Sequence, residues 1–253
     1  MRQVRPKKFL GQHFLTDLGV ARRIADTVDL YPDIPILEVG PGMGVMTQFL
    51  MQKGRHLKVV ELDYESVEYL RKTYPDFEDD IIEDDFLKMH LDRTFGGPFL
   101  LTGNYPYNIS SQIFFKMLDF KDYIPCCTGM IQKEMAERLA AKPGTKAYGI
   151  ITILLGLWYD VEYLFTVPPT VFNPPPKVQS AVICMKRNGV TDAGCDVMLL
   201  TRLVKQAFQQ RRKMLRVSLR NIIPEGHVFS TKRPEELSIK EFIELTNDVE
   251  KHT

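Results

Sequence analysis

Short apolar runs recur along the first two-thirds of the chain, each followed by turn residues and then by a segment of helical period. Ile36-Leu-Glu-Val39, Leu57-Lys-Val-Val60, Asp80-Ile-Ile82 and Phe99-Leu-Leu101 read as strands. So do Thr128-Gly-Met-Ile131, Tyr159 to Phe165 and Ser180 to Met185. Between them the period predicts helices over 18–30, with Val20, Ile24 and Val28 on one face and Thr16 or Asp17 as cap, and over 45–52 and 64–73. Further helices are expected over 110–118, 133–141 and 147–155. Strands alternating with helices imply an α/β fold with a mostly parallel, doubly wound sheet. Gln12-His13-Phe14-Leu15 reads as a loop packed on the first helix.

The rhythm breaks at Val171-Phe-Asn-Pro-Pro-Pro-Lys-Val178, where three prolines hold the chain extended. Residues 188–196 read as a linker. Beyond it, Leu200, Val204, Phe208, Leu215 and Leu219 mark one face of a basic helix that Pro224-Glu-Gly226 ends. A last helix over 238–250 carries a capping box, Ser238 with Glu241. Two domains follow, 1–187 and a small helical 188–253.

Composition narrows the class. With 44% apolar residues the chain buries a full core. No apolar run is long enough for a membrane helix, and the basic N-terminus lacks the apolar stretch of a signal peptide, which points to the cytoplasm. Cys126, Cys127, Cys184 and Cys195 form no CxxC pair and have no His at metal spacing, so free buried thiols and no structural metal are expected. Net charge is only +1, but it is unevenly placed. Arg2, Arg5, Lys7 and Lys8 precede the first acid, Asp17. Residues 197–224 hold no acid, yet carry Arg202, Lys205, Arg211, Arg212, Lys213, Arg216 and Arg220. Such clusters suit a polyanion.

Candidate chemistry sits at the strand ends. Gly40-Pro-Gly42-Met-Gly44 leaves the first strand as a turn that a ligand can approach closely. Its spacing is not the dinucleotide fingerprint. Glu61 ends the second strand, where a carboxylate holds a ribose diol; Asp63 reads as a helix cap. Glu83-Asp84-Asp85-Phe86 ends the third, offering an acceptor for an adenine amino group and a flanking ring. Leu101-Thr-Gly-Asn104-Tyr-Pro-Tyr107 ends the fourth. There an amide oxygen and a backbone carbonyl aim two acceptors at one point, as an exocyclic amine such as adenine N6 requires.

These stretches resemble the ribosomal RNA adenine-N6 dimethyltransferases, and within them the bacterial small-subunit branch. The matching segments are Phe9-Leu-Gly-Gln-His-Phe-Leu15, Leu37-Glu-Val-Gly-Pro-Gly-Met-Gly44, Val60-Glu-Leu-Asp63, Glu83-Asp-Asp-Phe86 and Gly103-Asn-Tyr-Pro-Tyr-Asn-Ile-Ser110. Gln132-Lys-Glu134, Lys146-Ala-Tyr-Gly149 and Phe172-Asn-Pro-Pro-Pro-Lys-Val-Gln-Ser180 follow in the same order. Two positions depart from the family pattern: His13 stands where Asn is usual, and Tyr105 where Leu is usual.

The resemblance implies a Rossmann-like S-adenosylmethionine-dependent sheet in the first domain and an RNA-binding helical second domain. It implies four methyl transfers to two adjacent adenines in a hairpin loop near the 3′ end of small-subunit rRNA, giving N6,N6-dimethyladenine. Cofactor contacts fall on Gln12, His13, Leu15, Gly40, Gly42, Glu61, Leu62, Asp85, Phe86 and Asn104. Among the three adjacent acids it selects Asp85. Asn104, Tyr105, Pro106 and Tyr107 form the catalytic turn, and Tyr107 and Phe172 are expected to stack on the target base. Arg2, Arg5, Lys7, Lys8, Arg211, Arg212, Lys213 and Arg216 are expected to contact rRNA of the small subunit, with the protein acting as a monomer. A large-subunit rRNA methyltransferase of the macrolide-resistance type, and an assembly checkpoint acting by binding, are the competing readings.

Overall fold

The computed structural model describes residues 11–31 and 33–252 together with Val4, Pro6 and Lys7. Arg2, Arg5 and Lys8 of the basic cluster, and Phe9 and Leu10 of the first motif, lie outside the described residues. The strands are β1 (Phe14–Leu15), β2 (Ile36–Val39), β3 (Leu57–Glu61), β4 (Ile81–Glu83), β5 (Leu100–Gly103), β6 (Cys126–Gln132), β7 (Tyr159–Val167), β8 (Phe172–Asn173) and β9 (Ser180–Arg187). The helices are α1 (Leu18–Ala25), α2 (Thr47–Leu50), α3 (Tyr64–Thr73), α4 (Ser110–Asp119), α5 (Lys133–Leu139), α6 (Ile150–Gly156), α7 (Val197–Gln209), α8 (Leu215–Ser218) and α9 (Ile239–Lys251).

The chain divides into two compact units, Met1–Ala136 with Val161–Arg187, and Glu137–Asp160 with Asn188–Thr253. The first holds the sheet, ordered β4-β3-β2-β5-β6-β9-β7. β2, β3, β4, β5 and β6 pair in parallel; β9 returns antiparallel to β6. β2 and β5 are buried along their whole length, which is why they read as unbroken apolar runs. The strand order reverses between β2 and β5. Val39 pairs with Gly103, so the turns that follow these two strands leave the sheet side by side. That is the switch point where open α/β sheets bind ligands.

Two expectations change here. Residues 12–15 are not simply a loop: β1 pairs antiparallel with β8, matching Phe14 to Asn173 and Leu15 to Phe172. α1 is also shorter than the period suggests, ending at Ala25 before a 3-10 turn; Asp17 caps it by accepting from Val20 N at 3.0 Å.

In the second unit, α6 packs against α7, and α7 against α8 and α9. Residues 137–160, expected in the first domain, group with the C-terminal helices, and the second unit resumes at Asn188. α6 is apolar almost throughout, so its burial requires partners on several sides. The basic segment is not one helix. α7 buries Leu200, Leu203, Val204 and Ala207 and stops at Gln209. Five successive polar residues, 209–213, offer no apolar position to hold another turn against a core. α8 then starts afresh, tied by Leu215 N to Lys232 O at 2.8 Å and Arg216 N to Ser230 O at 2.9 Å. Arg211 is not free for a polyanion: it donates to Thr145 O at 3.0 Å and lies over the Phe208 ring. Arg212, Lys213 and Arg216 are exposed and make no side-chain bond to the described residues. At the far end, Ser238 and Glu241 form the expected capping box of α9.

Candidate active site

A cleft of about 240 Å³ opens at the carboxyl ends of β2, β3, β4 and β5. The turn after β2 forms its floor. Gly40 and Gly42 have φ of +68° and +56°, and a Cβ on Gly42 would lie 3.0 Å from the Phe14 ring. The helix expected over 45–52 starts later behind this turn, at Thr47, and has only four residues before a 3-10 turn. Carboxylates set the chemistry of the cleft.

Glu61 is one of them. Its Oε2 accepts from Gly42 N at 3.0 Å and its Oε1 from Asp63 N at 2.9 Å. Burial pushes its pKa up, against the pull of those backbone N–H groups. Each oxygen is oriented by one main-chain donor and keeps acceptor capacity for a ligand hydroxyl. Asp63 stands at the cap position of α3 without a capping bond. It binds the N-terminal segment: Lys7 pairs with it, and Gln12 Nε2 donates to it at 3.2 Å. Burial alone would raise its pKa, but bonds from Lys7, Gln12 and Ser66 hold it below the ordinary value. Lys7 is thus committed to an ion pair, not free for a phosphate as the sequence suggested.

Glu38 lies within the apolar β2, and the sequence reading passed it over. It is 1% exposed, lines the cleft and accepts from Thr47 Oγ1 at 2.7 Å. Its one signal was a lone acid inside an apolar strand. Burial, with a smaller contribution from the Glu61 charge, pushes its carboxyl up to about 8 against the Thr47 bond. The folded chain therefore holds this proton to higher pH than the unfolded chain, whose value is near 4.5. Stability from this group is complete below about pH 4.5 and is lost as pH rises towards 8. Glu38→Gln is expected to remove that loss. Its thermal midpoint relative to wild type should rise steadily from pH 5 to 8, and parallel midpoint curves would contradict the assignment.

Asp85 and Phe86 reach the cleft from the turn after β4. Asp85 Oδ1 accepts from Leu87 N at 3.0 Å, and its Oδ2 faces the exposed Lys88 at 3.3 Å. Asp84 also lines the cleft, with its Oδ1 taken by Asp85 N. Leu62 offers an exposed apolar face beside them. Glu38, Glu61, Asp84 and Asp85 line the cleft with no lysine or arginine among the described lining residues. Glu38 holds its proton, but a dinucleotide pyrophosphate would meet the charges of the other three unshielded. A ligand with cationic groups at one end and ribose hydroxyl and adenine amino donors at the other fits them, and S-adenosylmethionine has that pattern.

The turn after β5 closes the cleft. Asn104 forms an isolated bridge with Met130 and donates from Nδ2 to His13 O at 3.3 Å. A carbonyl can only accept, so this bond orients the amide. Asn104 Oδ1 accepts no bond from the described residues. Pro106 lies against Gly40. The Tyr107 ring stacks on His13, centroids 5.4 Å apart, and its hydroxyl meets Ser180 Oγ. His13 covers one face of the Tyr107 ring. His13 Nδ1 in turn lies 2.8 Å from Pro174 O.

The ten expected cofactor residues thus line one cleft, joined by Tyr105, Pro106 and Tyr107. Phe172 does not join them. It is 4% exposed, pairs with Leu15 and packs in the core of the first unit, so no face is open to a base. The stiffness of the proline run serves packing here, not presentation.

Residues 3–251 match the model of the family described as ribosomal RNA adenine dimethylase. The chain belongs to this family. The ribosomal RNA small subunit methyltransferase A of Phocaeicola vulgatus is 66% identical over 99% of this chain and 91% of its own length. The protein of that name from Bacteroides fragilis is 66% identical over 99% and 94%. Among solved structures, a dimethyladenosine transferase from Plasmodium falciparum superposes with a TM-score of 0.79 at 23% identity, covering 94% of this chain and 98% of that one. The 23S rRNA methyltransferase ErmE gives 0.67 at 26% identity, covering 92% and 99%. The sheet is the Rossmann-like fold of this rRNA adenine dimethylase family.

Proposed function

We propose that this chain transfers methyl groups from S-adenosylmethionine to N6 of two adjacent adenines in the 3′-terminal hairpin loop of small-subunit rRNA, giving N6,N6-dimethyladenine during subunit biogenesis. It acts as a cytoplasmic monomer. The observation that carries the reading is the Asn104 oxygen, which accepts no bond from the described residues, at the rim of a cleft whose described lining holds four acidic side chains and no lysine or arginine. High identity to relatives named for the small subunit favours that RNA over the large-subunit RNA of the more distant ErmE.

Glu61 would hold the ribose hydroxyls and Asp85 the adenine amino group of the donor. Gly40 and Gly42 allow its close approach, and Leu62 and Phe86 flank its ring. Bound there, S-adenosylmethionine supplies an electrophilic methyl group on a sulfonium sulfur. The target amine is a poor nucleophile because its lone pair is delocalised into the adenine ring. Asn104 Oδ1 and the Tyr105 carbonyl accept its two N–H groups, favour a pyramidal nitrogen and aim the lone pair. Rate enhancement then comes from positioning and fixed dipoles. The Tyr107 ring stacks on the extruded base, a contact that contributes about 1–3 kcal/mol. A loop adenine costs less to extrude than a paired one.

Among the described residues expected to contact rRNA, Arg212, Lys213 and Arg216 are exposed and free to meet phosphates. Changing all three to Ala is expected to weaken RNA binding and to lower the log–log salt slope by about 2–3. A filter-binding series across salt that overlays wild type would remove them from the interface.

The direct test is transfer of labelled methyl to undermethylated small subunits, with naked large-subunit rRNA in parallel. N6,N6-dimethyladenine in small-subunit RNA is the expected product. Label confined to large-subunit RNA would assign the chain to the resistance-type reaction. No label with tight subunit binding would leave an assembly factor.

A further inference from the structure

The side chain of Tyr105 has no part in the proposed mechanism, which uses only its carbonyl. Yet this is where the chain departs from the family's usual Leu, and the structure has made a specific place for the larger residue. β5 and β6 pair at Leu100 with Cys126 and Leu101 with Cys127, and next only at the isolated bridge of Asn104 with Met130. The ladder is open between, beside Gly103 and Gly129. The Tyr105 ring packs against both glycines. A Cβ on Gly129 would sit 2.7 Å from the ring and 2.4 Å from Gly103 O, and one on Gly103 would sit 3.3 Å from the ring.

The ring is tethered at its far end as well as packed. Tyr105 is 1% exposed. Its hydroxyl donates to Thr128 O at 2.9 Å and lies 3.1 Å from Cys127 Sγ. Thr128 lies in the stretch where β6 has no ladder partner on the β5 side, so the phenol supplies a donor that the missing strand pairing does not. Burial keeps the phenol protonated, so it remains a donor at working pH. Phe114 packs edge-on against the ring. At the near end, Tyr105 N donates to Met130 O at 3.0 Å. One residue is thus pinned to β6 through both its amide and its hydroxyl.

We infer that the Tyr105 hydroxyl is a positioning group for methyl transfer: by tying the catalytic turn to Thr128 on β6, it fixes the direction of the Tyr105 carbonyl and of the adjoining Asn104. The inference rests on the proposed methyl transfer to adenine N6. Because the ring is buried against Gly103 and Gly129, what Tyr105 offers the cleft is its main chain. With its amide and its hydroxyl both held on β6, the Cα of Tyr105 has a fixed place, and Pro106, whose φ is locked, cannot compensate a turn of the intervening peptide. The usual Leu has no such hydroxyl bond. In this chain a polar tether replaces purely apolar packing.

The test is Tyr105→Phe, which keeps the ring and removes one oxygen, assayed on undermethylated small subunits well below the unfolding temperature. The expected result is a fall in kcat of about 5–10-fold, as for loss of one aiming interaction, with affinities for S-adenosylmethionine and RNA unchanged. Tyr105→Leu, measured alongside, is expected to lower kcat at least as far. It removes both the bond and the ring volume packed against Gly103 and Gly129. A purely structural role would lower thermal stability while leaving kcat per folded molecule at the wild-type value. That outcome for Tyr105→Phe, or equal losses in kcat and both affinities, would overturn the inference. Failure of wild type to methylate any adenine would instead remove the reading on which it rests.

Discussion

Asn104→Ala is expected to lower kcat for adenine methylation by about 10²–10³-fold, the loss seen when one preorganised hydrogen-bonding group is removed from a reacting centre. The side chain has two ends with separate duties. Nδ2 is spent on His13 O, which leaves Oδ1 as the acceptor proposed for the amine. Truncation removes that acceptor and also leaves the His13 carbonyl without its donor. Asn104 lies at the border of the donor and base sites, so donor affinity should fall too, but far less than kcat. Single-turnover methylation together with calorimetry of donor binding checks this. Equal losses in the two would make Asn104 a donor-binding residue and nothing more. Small-subunit binding by the variant should persist, and a growth phenotype that also persisted would show that the bound protein has a task besides methylation.

Glu61→Ala is expected to weaken donor binding about 100-fold, with RNA affinity unchanged. Two hydrogen bonds to a charged acceptor contribute about 1.5 kcal/mol each at the lower bound, and 1.4 kcal/mol is a factor of ten. The change also takes the acceptor from Gly42 N and Asp63 N, so the glycine turn and the head of α3 loosen together. Glu61→Gln keeps the shape but turns one acceptor into a donor, and should lie between wild type and Ala. Since burial raises the Glu61 pKa, donor binding should weaken as pH falls through that raised value, because the protonated acid accepts less well. Calorimetry showing wild-type affinity in Glu61→Ala would end the ribose assignment.

Local signals carried much of this arrangement. Ile36–Val39 and Leu100–Gly103 announce themselves as doubly buried strands, and the acids and amide that follow strands fall at the rim those strands define. Ser238 and Glu241 cap α9 through contacts three residues apart, which periodicity can read. What escaped was decided at a distance. Phe172 seemed poised to meet a base because nothing near it reveals its strand partner, Leu15. Lys7 looked like a phosphate contact until Asp63 came into reach, and Arg211 until Thr145 did. Residues 137–160 have a helical pattern that fits either unit; only the packing of α6 on α7 places them. Glu38 was hidden for the opposite reason, since its apolar neighbours made an ordinary strand of it.

The pairing of β1 with β8 also sets a timetable for synthesis. Gly11 to Leu15 emerge from the ribosome well before Phe172 and Asn173, yet they form a wall of the cleft only when those two residues are available to pair with them. β9, which closes on β6, comes later still. The glycine turn and the Glu61 and Asp85 ends can assemble on the early parallel strands, but the cleft they outline stays without that wall until most of the first unit has been made. The second unit waits as well, because residues 137–160 find α7 only after residue 197. Non-local closure of this kind slows folding. A nascent chain that ends before Phe172 would carry all four acidic side chains of the cleft and is expected to hold no donor.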